Sequence, residues 1–184
     1  MTGGMDLNIR ELRDEYNQGK LFSYMFFWGH TEKDGELTKA CLSQWYDCKF
    51  TENGITYHTA EQYMMSQKAK LFRDEEIFES IMQADNPGEY KKLGRKIRNF
   101  DSEIWNKNKF SIVVNGNMLK FSQNEKLKDF LLSTGGRVLV EASPYDCIWG
   151  IGKSMSDKNI ENPLTWKGEN LLGFALMEER ERLG

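Results

Sequence analysis

The chain has 184 residues, of which 39% are hydrophobic, and its 25 basic and 28 acidic side chains leave a formal net charge of −3. This size and composition are typical of one globular domain and exclude disordered and low-complexity proteins. The mild acidity gives no overall attraction to nucleic acid or to an anionic membrane. The longest uninterrupted apolar run, residues 24–28, is far shorter than the roughly 20 residues of a spanning helix, so we expect no membrane partner.

The beginning of the chain and its cysteines suggest a cytoplasmic location. Residues 1–4 are interpreted as a leader ahead of a natural start at Met5, and no apolar block comes after them that could serve as a signal sequence. The three cysteines, which lack CxxC spacing, are Cys41, Cys48 and Cys147. An odd number without that spacing predicts reduced thiols in a reducing compartment.

Metal and cofactor chemistry find little support in the residue pattern. His30 and His58 are the two histidines, and neither lies at a zinc-ligand spacing from a cysteine or from the other. The sequence also lacks the P-loop, serine-hydrolase and zincin motifs. We therefore expect no metal and no cofactor.

Residues 1–20 are predicted to hold the leader and one short helix, and residues 21–184 a single domain. Ile9, Leu12 and Tyr16 fall on one face of the helix, and the run Leu21–Trp28 is predicted to be buried and extended. A β-hairpin is predicted next, because Asn53-Gly54 separates two alternating runs.

Helices dominate the chain after residue 59. Thr59 and Gln62 match a capping box that opens a helix from about residue 60 to 72, and Ser122 with Glu125 match a second one. Further helix starts are predicted at Asp74, at Asn86-Pro87 and at Asp101, and Ile97 would lie on the inner face of the helix that begins at Asn86-Pro87. After these helices, the sequence predicts a strand over 137–141, a loop over 143–154 and a helix over 170–183. The predicted fold is a helix-dominated α+β domain with a small β-sheet or hairpin.

The first candidate site lies at the start of the predicted helix after residue 59. Glu61 falls in the first turn, where the helix dipole stabilises a carboxylate, and Lys68 lies two turns later near the same face. The simpler interpretations are a helix-terminal acid and a solvated lysine. Position alone favours the helix-terminal acid for Glu61.

The second candidate site is the loop after the predicted strand over 137–141. It contains Asp146, Trp149, Gly150 and Gly152, and loops on rigid scaffolds are common functional positions. Glycines let backbone N–H groups approach a phosphate. The alternative is an ordinary turn in which the aspartate is only a turn former.

Aromatic and basic side chains supply further candidates. Trp45, Trp105 and Trp149 lie beside polar residues in separate segments; each alone is more often a core residue, but together they could stack on a planar base. Arg95 belongs to a basic stretch that holds phosphates or forms a solvated face. Two carboxylates with a base-sized aromatic slot favour cleavage of a sugar–base bond, whose transition state resembles an oxocarbenium ion.

These residues resemble a known family. The run Thr-Ala-Glu-Gln-Tyr-Met-Met-Ser-Gln-Lys-Ala from Thr59 to Ala69 is similar to the pattern Ser/Thr-x-Glu-His-Tyr-x-x-x-Gln-Lys-Ala of the YbiA-like or NADAR family. Further blocks resemble the family in the same order, namely Leu42–Trp45, Leu93–Arg95, Trp105, Lys120–Asn124, Leu139–Glu141, Asp146–Gly152 and Gly168–Gly173. The chain is identified as a member from about Leu21 to its end.

The resemblance implies an N-glycosidase. Its members act on the base–ribose bond of phosphorylated ribosylamino-pyrimidine intermediates of riboflavin synthesis, or remove ADP-ribose from modified guanine in nucleic acid. The family's functional carboxylates fall on Glu61 and Asp146. Lys68 matches a lysine that either forms a Schiff base with C1′ of the opened ribose or holds a phosphate.

The family's functional tryptophans fall on Trp105 and Trp149. The other residues that we predict to bind substrate are Gln44, Trp45, Arg95, Gly150 and Gly152. Two positions depart from the family pattern: Gln62 replaces a histidine, and Gln44 replaces an asparagine. Gln62 cannot titrate near neutral pH, which leaves open a catalytically silent module that binds ADP-ribose or NAD-derived ligands. A helical protein–protein adaptor is a third alternative.

Overall fold

The computed structural model of the chain describes residues 8–32 and 35–184, and the leader predicted at residues 1–4 lies outside them. The described helices are α1 (Ile9–Asn17), α2 (Ala60–Leu71), α3 (Glu75–Gln83), α4 (Pro87–Gly94), α5 (Ser102–Ser122), α6 (Glu125–Ser133) and α7 (Leu171–Leu183). The described strands are β1 (Tyr24–Phe27), β2 (Phe50–Glu52), β3 (Ile55–Tyr57) and β4 (Val138–Glu141). The predicted helix-dominated α+β class is confirmed.

The chain divides into two compact units, one of residues up to 28 and from 129 onward, the other of residues 29–128. In the first unit, β1 pairs in parallel with β4, with Tyr24 opposite Val138 and Phe27 opposite Glu141. Helix α7 packs on β4. This close approach requires Gly173, because a Cβ there would lie 2.0 Å from the Leu139 carbonyl oxygen.

The buried run predicted for Leu21–Trp28 is wrong at both ends. The ladder with β4 is only four residues long, so Leu21 and Trp28 lie outside it and are 93% and 47% exposed. The predicted first helix is confirmed as α1.

In the second unit, β2 and β3 form the predicted hairpin, and Asn53 and Gly54 have φ values of 51° and 79°. These left-handed conformations are those that a two-residue hairpin turn needs. The Gln123 side chain attaches the hairpin to the end of α5: it accepts from the Thr51 N–H at 2.9 Å and donates to the Thr51 carbonyl at 2.8 Å. Trp45 lies before the hairpin, just after a 3₁₀ turn over Lys39–Leu42.

Helix α2 is the central element of this unit, and it packs against α3, α4 and α5. Two glycines allow its neighbours to approach. A Cβ at Gly94 of α4 would lie 2.1 Å from the Met65 sulfur, and one at Gly116 of α5 would lie 2.5 Å from Cδ1 of Tyr63. The residues of α2 from Ala60 to Ser66 are all buried as a result.

The capping box predicted at the start of α2 is half present. The Thr59 hydroxyl accepts the Gln62 N–H at 3.1 Å, as expected for an N-cap. The Gln62 side chain does not complete the box with Thr59: its Oε1 accepts the His58 N–H at 2.8 Å, and its Nε2 donates to the Ile81 carbonyl at 3.2 Å. Gln62 therefore connects the hairpin exit to α3.

The other predicted helix starts have mixed outcomes. Asp74, Asn86 and Asp101 cap α3, α4 and α5 as predicted. The second capping box is wrong, because Ser122 is the last residue of α5 and its hydroxyl donates to the Leu119 carbonyl at 3.4 Å. Helix α4 ends at Gly94, so Ile97 is buried beyond the helix, not on it.

Within residues 8–32 and 35–184, no helix combines the length and apolar character needed to cross a membrane.

Gly116→Ala is expected to lower the free energy of unfolding by about 1–3 kcal/mol, because overpacking against Tyr63 outweighs the helix propensity that alanine gains. Urea unfolding followed by circular dichroism measures the change. Gly136→Ala is the control, since a Cβ at Gly136 has no heavy atom within 4 Å. An unchanged midpoint for Gly116→Ala would contradict the close approach of α5 to α2.

Gln62→Met is expected to cost about 2 kcal/mol of unfolding free energy, because the His58 N–H and the Ile81 carbonyl each lose a partner. The matched control is Gln83→Met at the end of α3, which should change stability by less than about 0.5 kcal/mol. Equal losses in the two variants would show that the Gln62 hydrogen bonds contribute nothing.

Candidate functional site

Glu61 lies in the first turn of α2, and its side chain is buried with 4% exposure. Its backbone N–H donates to the Gln44 carbonyl at 2.9 Å. The Thr59 cap and this bond hold the start of the helix, where the helix dipole favours a carboxylate. Glu61 is thus a buried acid whose backbone is fixed at the start of α2.

Lys68 lies two turns along α2 and is half-buried. Its Nζ donates to the Gly94 carbonyl at 2.9 Å and lies 4.4 Å and 5.3 Å from the ring centroids of Phe100 and Trp105. Burial lowers the pKa of Lys68, and the nearby negative charge of Glu61 partly opposes that change. Desolvation disfavours an ammonium ion, so the neutral amine is more accessible here than on an exposed lysine.

An ion pair fixes the connection that carries Phe100. Arg98 Nη2 lies 2.6 Å from Asp74 Oδ1, and the Arg98 backbone N–H donates to Asp74 Oδ2 at 2.8 Å. These contacts hold the pKa of Asp74 well below its usual range. Asn99, with φ of 55°, then turns the chain toward α5. The link between α4 and α5 is therefore tied to the start of α3.

Gln44 and Trp45 lie beside the start of α2. Gln44 is 6% exposed, and its Oε1 accepts from Nδ2 of Asn117 on α5 at 2.7 Å. Trp45 is half-buried, and its ring centroid lies 5.5 Å from that of His30. Arg95 is exposed and directly follows Gly94, whose carbonyl holds Lys68. The second unit thus brings Glu61, Lys68, Trp105 and Gln44 into one contact network.

In the first unit, Asp146 organises its own loop. Its Oδ1 accepts the backbone N–H groups of Ile148 at 2.9 Å and Trp149 at 2.8 Å. This is the turn-forming behaviour of an aspartate side chain. Trp149 is half-buried, and its backbone is therefore fixed relative to the Asp146 carboxylate.

Gly150 and Gly152 have packing reasons to be glycine. A Cβ at Gly150 would lie 2.9 Å from the Glu141 carbonyl oxygen. Gly152 has φ of 65°, and a Cβ there would lie 2.7 Å from the Cys147 sulfur. The Gly152 N–H donates to the Asp146 carbonyl at 3.0 Å. Contact of either glycine with a phosphate stays a prediction.

Residues 167–172, which lead into α7 and form its first two positions, hold this loop by their backbone. The N–H groups of residues 167 to 172 donate to carbonyls of Cys147, Ile148, Trp149, Gly150 and Ile151. Asn170, with φ of 55°, also accepts the Glu141 N–H at 3.0 Å and donates to the Leu139 carbonyl at 2.9 Å. Asp146 and Trp149 are therefore carried on a rigid loop attached to β4.

Sequence reasoning missed Phe100 and Asn117. Phe100 directly precedes the Asp101 cap, and an aromatic residue at a helix entry was the signal available for it. Asn117 had no signal, because a polar residue inside a helical pattern reveals a buried partner only after folding. In the described ranges, no three His, Cys, Asp or Glu side chains are grouped so that they could hold a metal ion.

The chain is similar to proteins that are named N-glycosidases. An N-glycosidase of Acanthamoeba polyphaga mimivirus is 45% identical over 163 residues, which are 86% of this chain and 95% of the viral protein. N-glycosidase YbiA of Escherichia coli is 32% identical over 131 residues, which are 71% of this chain and 73% of YbiA. The NMR structure of E. coli YbiA matches with a TM-score of 0.70 and 27% identity, covering 88% of this chain and 84% of that one.

A chloroplastic riboflavin biosynthesis protein of Zea mays, PYRR, is 32% identical over 141 residues, which are 72% of this chain and 21% of the maize protein. The NADAR domain as a family matches residues 26–184. Since that match covers most of the chain, the protein belongs to the NADAR family.

Proposed function

We propose that this protein cleaves the bond between a base and C1′ of ribose in a nucleoside that carries a phosphate or an ADP-ribose group. Membership of a family whose relatives are named N-glycosidases makes it a hydrolase of N-glycosyl bonds. The similarity to a riboflavin biosynthesis protein supports a phosphorylated ribosylamino-pyrimidine as the first substrate to test. ADP-ribosylated guanine in nucleic acid is the second.

The observation that carries the proposal is the environment of Lys68. A half-buried amine lies against the rings of Phe100 and Trp105, and a buried carboxylate on the same helix acts on its charge. Lowered pKa values are a common feature of catalytic lysines, because the neutral amine is the nucleophile. A solvated surface lysine would show none of these contacts.

In the proposed step, the Lys68 nitrogen bonds to C1′ as the bond between C1′ and the base breaks. The electron pair of that bond leaves with the base, which receives a proton lost by the attacking nitrogen, and Glu61 is assigned the transfer of that proton. The C1′–O4′ bond then breaks and the ribose ring opens to an imine, as O4′ takes the remaining proton of the Lys68 nitrogen. Water adds to C1′ and the bond to lysine breaks, which releases the sugar and restores the amine.

The residues of the first unit have proposed supporting roles. The Asp146 carboxylate is assigned stabilisation of positive charge at the ribosyl centre, and Trp149 is assigned stacking on a planar group. Support for both comes from the rigid loop that carries them and from the motif Asp-x-x-Trp-Gly-x-Gly. In the second unit, Trp45 and Arg95 are assigned contacts with base and phosphate.

The silent-module alternative loses its main motivation. It rested on Gln62, but both ends of that amide bind backbone groups of the fold. Position 62 therefore serves the connection between the hairpin exit and α3. A non-titrating residue there is compatible with catalysis by Glu61 and Lys68.

Glu61→Gln and Lys68→Met are each expected to lower kcat by about 10²-fold or more, the range found when a general acid–base group or nucleophile is removed. The measurement is base release from a ribosylamino-pyrimidine 5′-phosphate and from ADP-ribosylated guanosine DNA. Glu89→Gln, in the exposed first turn of α4, and Lys70→Met, exposed on α2, are the matched controls. Both should keep the wild-type rate.

Two results would overturn the assignment. Wild type that binds ADP-ribose tightly but releases no base from either substrate would establish the silent module instead. Full rates in both Glu61→Gln and Lys68→Met would remove these residues from the mechanism while leaving the family activity in place.

The Lys68 amine is expected to become reactive at a lower pH than that of Nα-acetyl-lysine, because burial lowers its pKa. Competitive acetylation across a pH series, read by peptide mass spectrometry, gives the midpoint. Glu61→Gln should move the midpoint lower still, because the carboxylate that raises the Lys68 pKa is gone. A midpoint at or above that of Nα-acetyl-lysine would contradict the desolvated environment.

Borohydride reduction during turnover should trap a ribosyl adduct at Lys68, because it reduces the imine of the proposed step to a stable amine.

A further inference from the structure

Helix α5 carries a buried lysine, Lys120, that takes no part in the proposed reaction. Lys120 is fully buried, and its Nζ donates to the carbonyls of Cys41 at 2.6 Å and Ser43 at 2.9 Å. The ring centroids of Tyr46 and Phe121 lie 5.5 Å and 5.1 Å from the same nitrogen. Its positive charge also acts on two buried thiols, those of Cys41 and Cys48. The side chain is thus directed into the segment Cys41–Tyr46.

Burying an ammonium ion costs free energy that neutral carbonyl partners offset only in part. A well-packed apolar residue of similar length would avoid that desolvation. The ion instead joins two carbonyls that lie on either side of Leu42. Lys120 therefore holds the backbone of segment 41–46 in a defined conformation.

A second residue on the same face of α5 holds the side chain of Gln44. Asn117 precedes Lys120 by three residues, so both point in nearly the same direction. Asn117 Nδ2 donates to Gln44 Oε1 at 2.7 Å and to the Val113 carbonyl at 3.0 Å. The Val113 bond sets the orientation of the Asn117 amide, since only its nitrogen can donate to a carbonyl.

The segment held in this way carries the proposed substrate contacts. Gln44 and Trp45 lie within it, and the Gln44 carbonyl accepts the N–H of Glu61 at 2.9 Å. Lys120 and Asn117 thus connect α5 to the first turn of α2 through a single intervening segment. The same arrangement leaves Gln44 Nε2 and Asn117 Oδ1 buried without a hydrogen-bond partner. Buried polar atoms of this kind are uncommon and mark a place where the fold gives up stability.

We propose that Lys120 and Asn117 are positioning residues for the N-glycosidase reaction, which hold segment Cys41–Tyr46 so that Gln44 and Trp45 meet the substrate and Gln44 supports Glu61. This inference rests on the proposed function, because the roles of Gln44, Trp45 and Glu61 belong to it. Neither Lys120 nor Asn117 touches the reacting atoms; each acts through the segment.

The main test uses Asn117→Leu, which keeps the branched shape of the side chain, removes the buried unpartnered Oδ1 and takes away the donor of Gln44 Oε1. Because the number of buried atoms without a partner stays the same, the variant should unfold near the urea concentration of wild type, yet KM for base release should rise about tenfold, with kcat within about threefold. Replacement of a purely structural residue would not raise KM while the stability of the protein is unchanged. The double variant with Gln44→Leu should be no worse than Gln44→Leu alone, because Asn117 acts through Gln44.

Lys120→Met tests the backbone contact directly. Hydrogen exchange of the Glu61 amide should speed up by about tenfold or more when segment 41–46 loosens, while the amides of α7 keep their wild-type rates. Phe121→Leu separates the carbonyl contacts from the ring contact, because it removes the ring that lies 5.1 Å from Nζ and leaves both carbonyls in place. Its Glu61 amide should exchange at the wild-type rate. Lys120→Arg, which keeps a buried donor, should restore slow exchange at least in part.

The outcomes separate this inference from the proposed function. Wild type that releases no base from either substrate overturns the proposed function. Wild type that releases base, while Asn117→Leu keeps its KM and Lys120→Met keeps slow exchange at Glu61, overturns the positioning roles and leaves the function standing.

Discussion

The burial of α2 on nearly all sides is the constraint on which the second unit depends. A helix surrounded by α3, α4 and α5 has little contact with water, so each polar group on it needs a partner within the protein. Gln62 binds the backbone of His58 and Ile81, and Ser66 donates to the Tyr63 carbonyl. Lys68 meets the same requirement by donating to the Gly94 carbonyl, and Glu61 is fixed through its backbone N–H.

Gly94 links this packing to the site. Because it has no Cβ, it leaves room for Met65 of α2, and its carbonyl accepts a hydrogen bond from Lys68 Nζ. The close approach of α4 that buries α2 therefore also supplies the hydrogen bond that orients the lysine. Phe100 comes a few residues later, held by the ion pair of Arg98 with Asp74. The packing of α4 on α2 therefore also sets the electrostatic environment of the Lys68 amine.

The loop of the first unit that carries Asp146 and Trp149 is held rigid in a different way. Its backbone is bonded along its length to residues 167–172, and Gly150, Gly152 and Gly168 each lie where a Cβ would meet neighbouring atoms of the unit at 3.0 Å or less. The Asp146 carboxylate is oriented by N–H groups three residues away or fewer. In the second unit, side chains are ordered by a buried helix; in the first, a side chain is ordered by a short turn within a bonded loop.

Features that depend on neighbouring residues could be predicted from the sequence. They are the Asn53-Gly54 turn, the helix caps at Thr59, Asp74 and Asp101, and the placement of Glu61 and Lys68 on one helix. Side-chain to backbone bonds across two or three residues form wherever the chain meets them, so their patterns can be read locally. Long-range packing set the rest: β1 pairs with β4, Gln62 connects two elements, and Ser122 ends a helix. The same packing places Phe100 against Lys68 and directs Lys120 into segment 41–46. These outcomes depend on which distant groups exclude water from one another, and desolvation is a property of the packed chain that no short stretch of sequence contains.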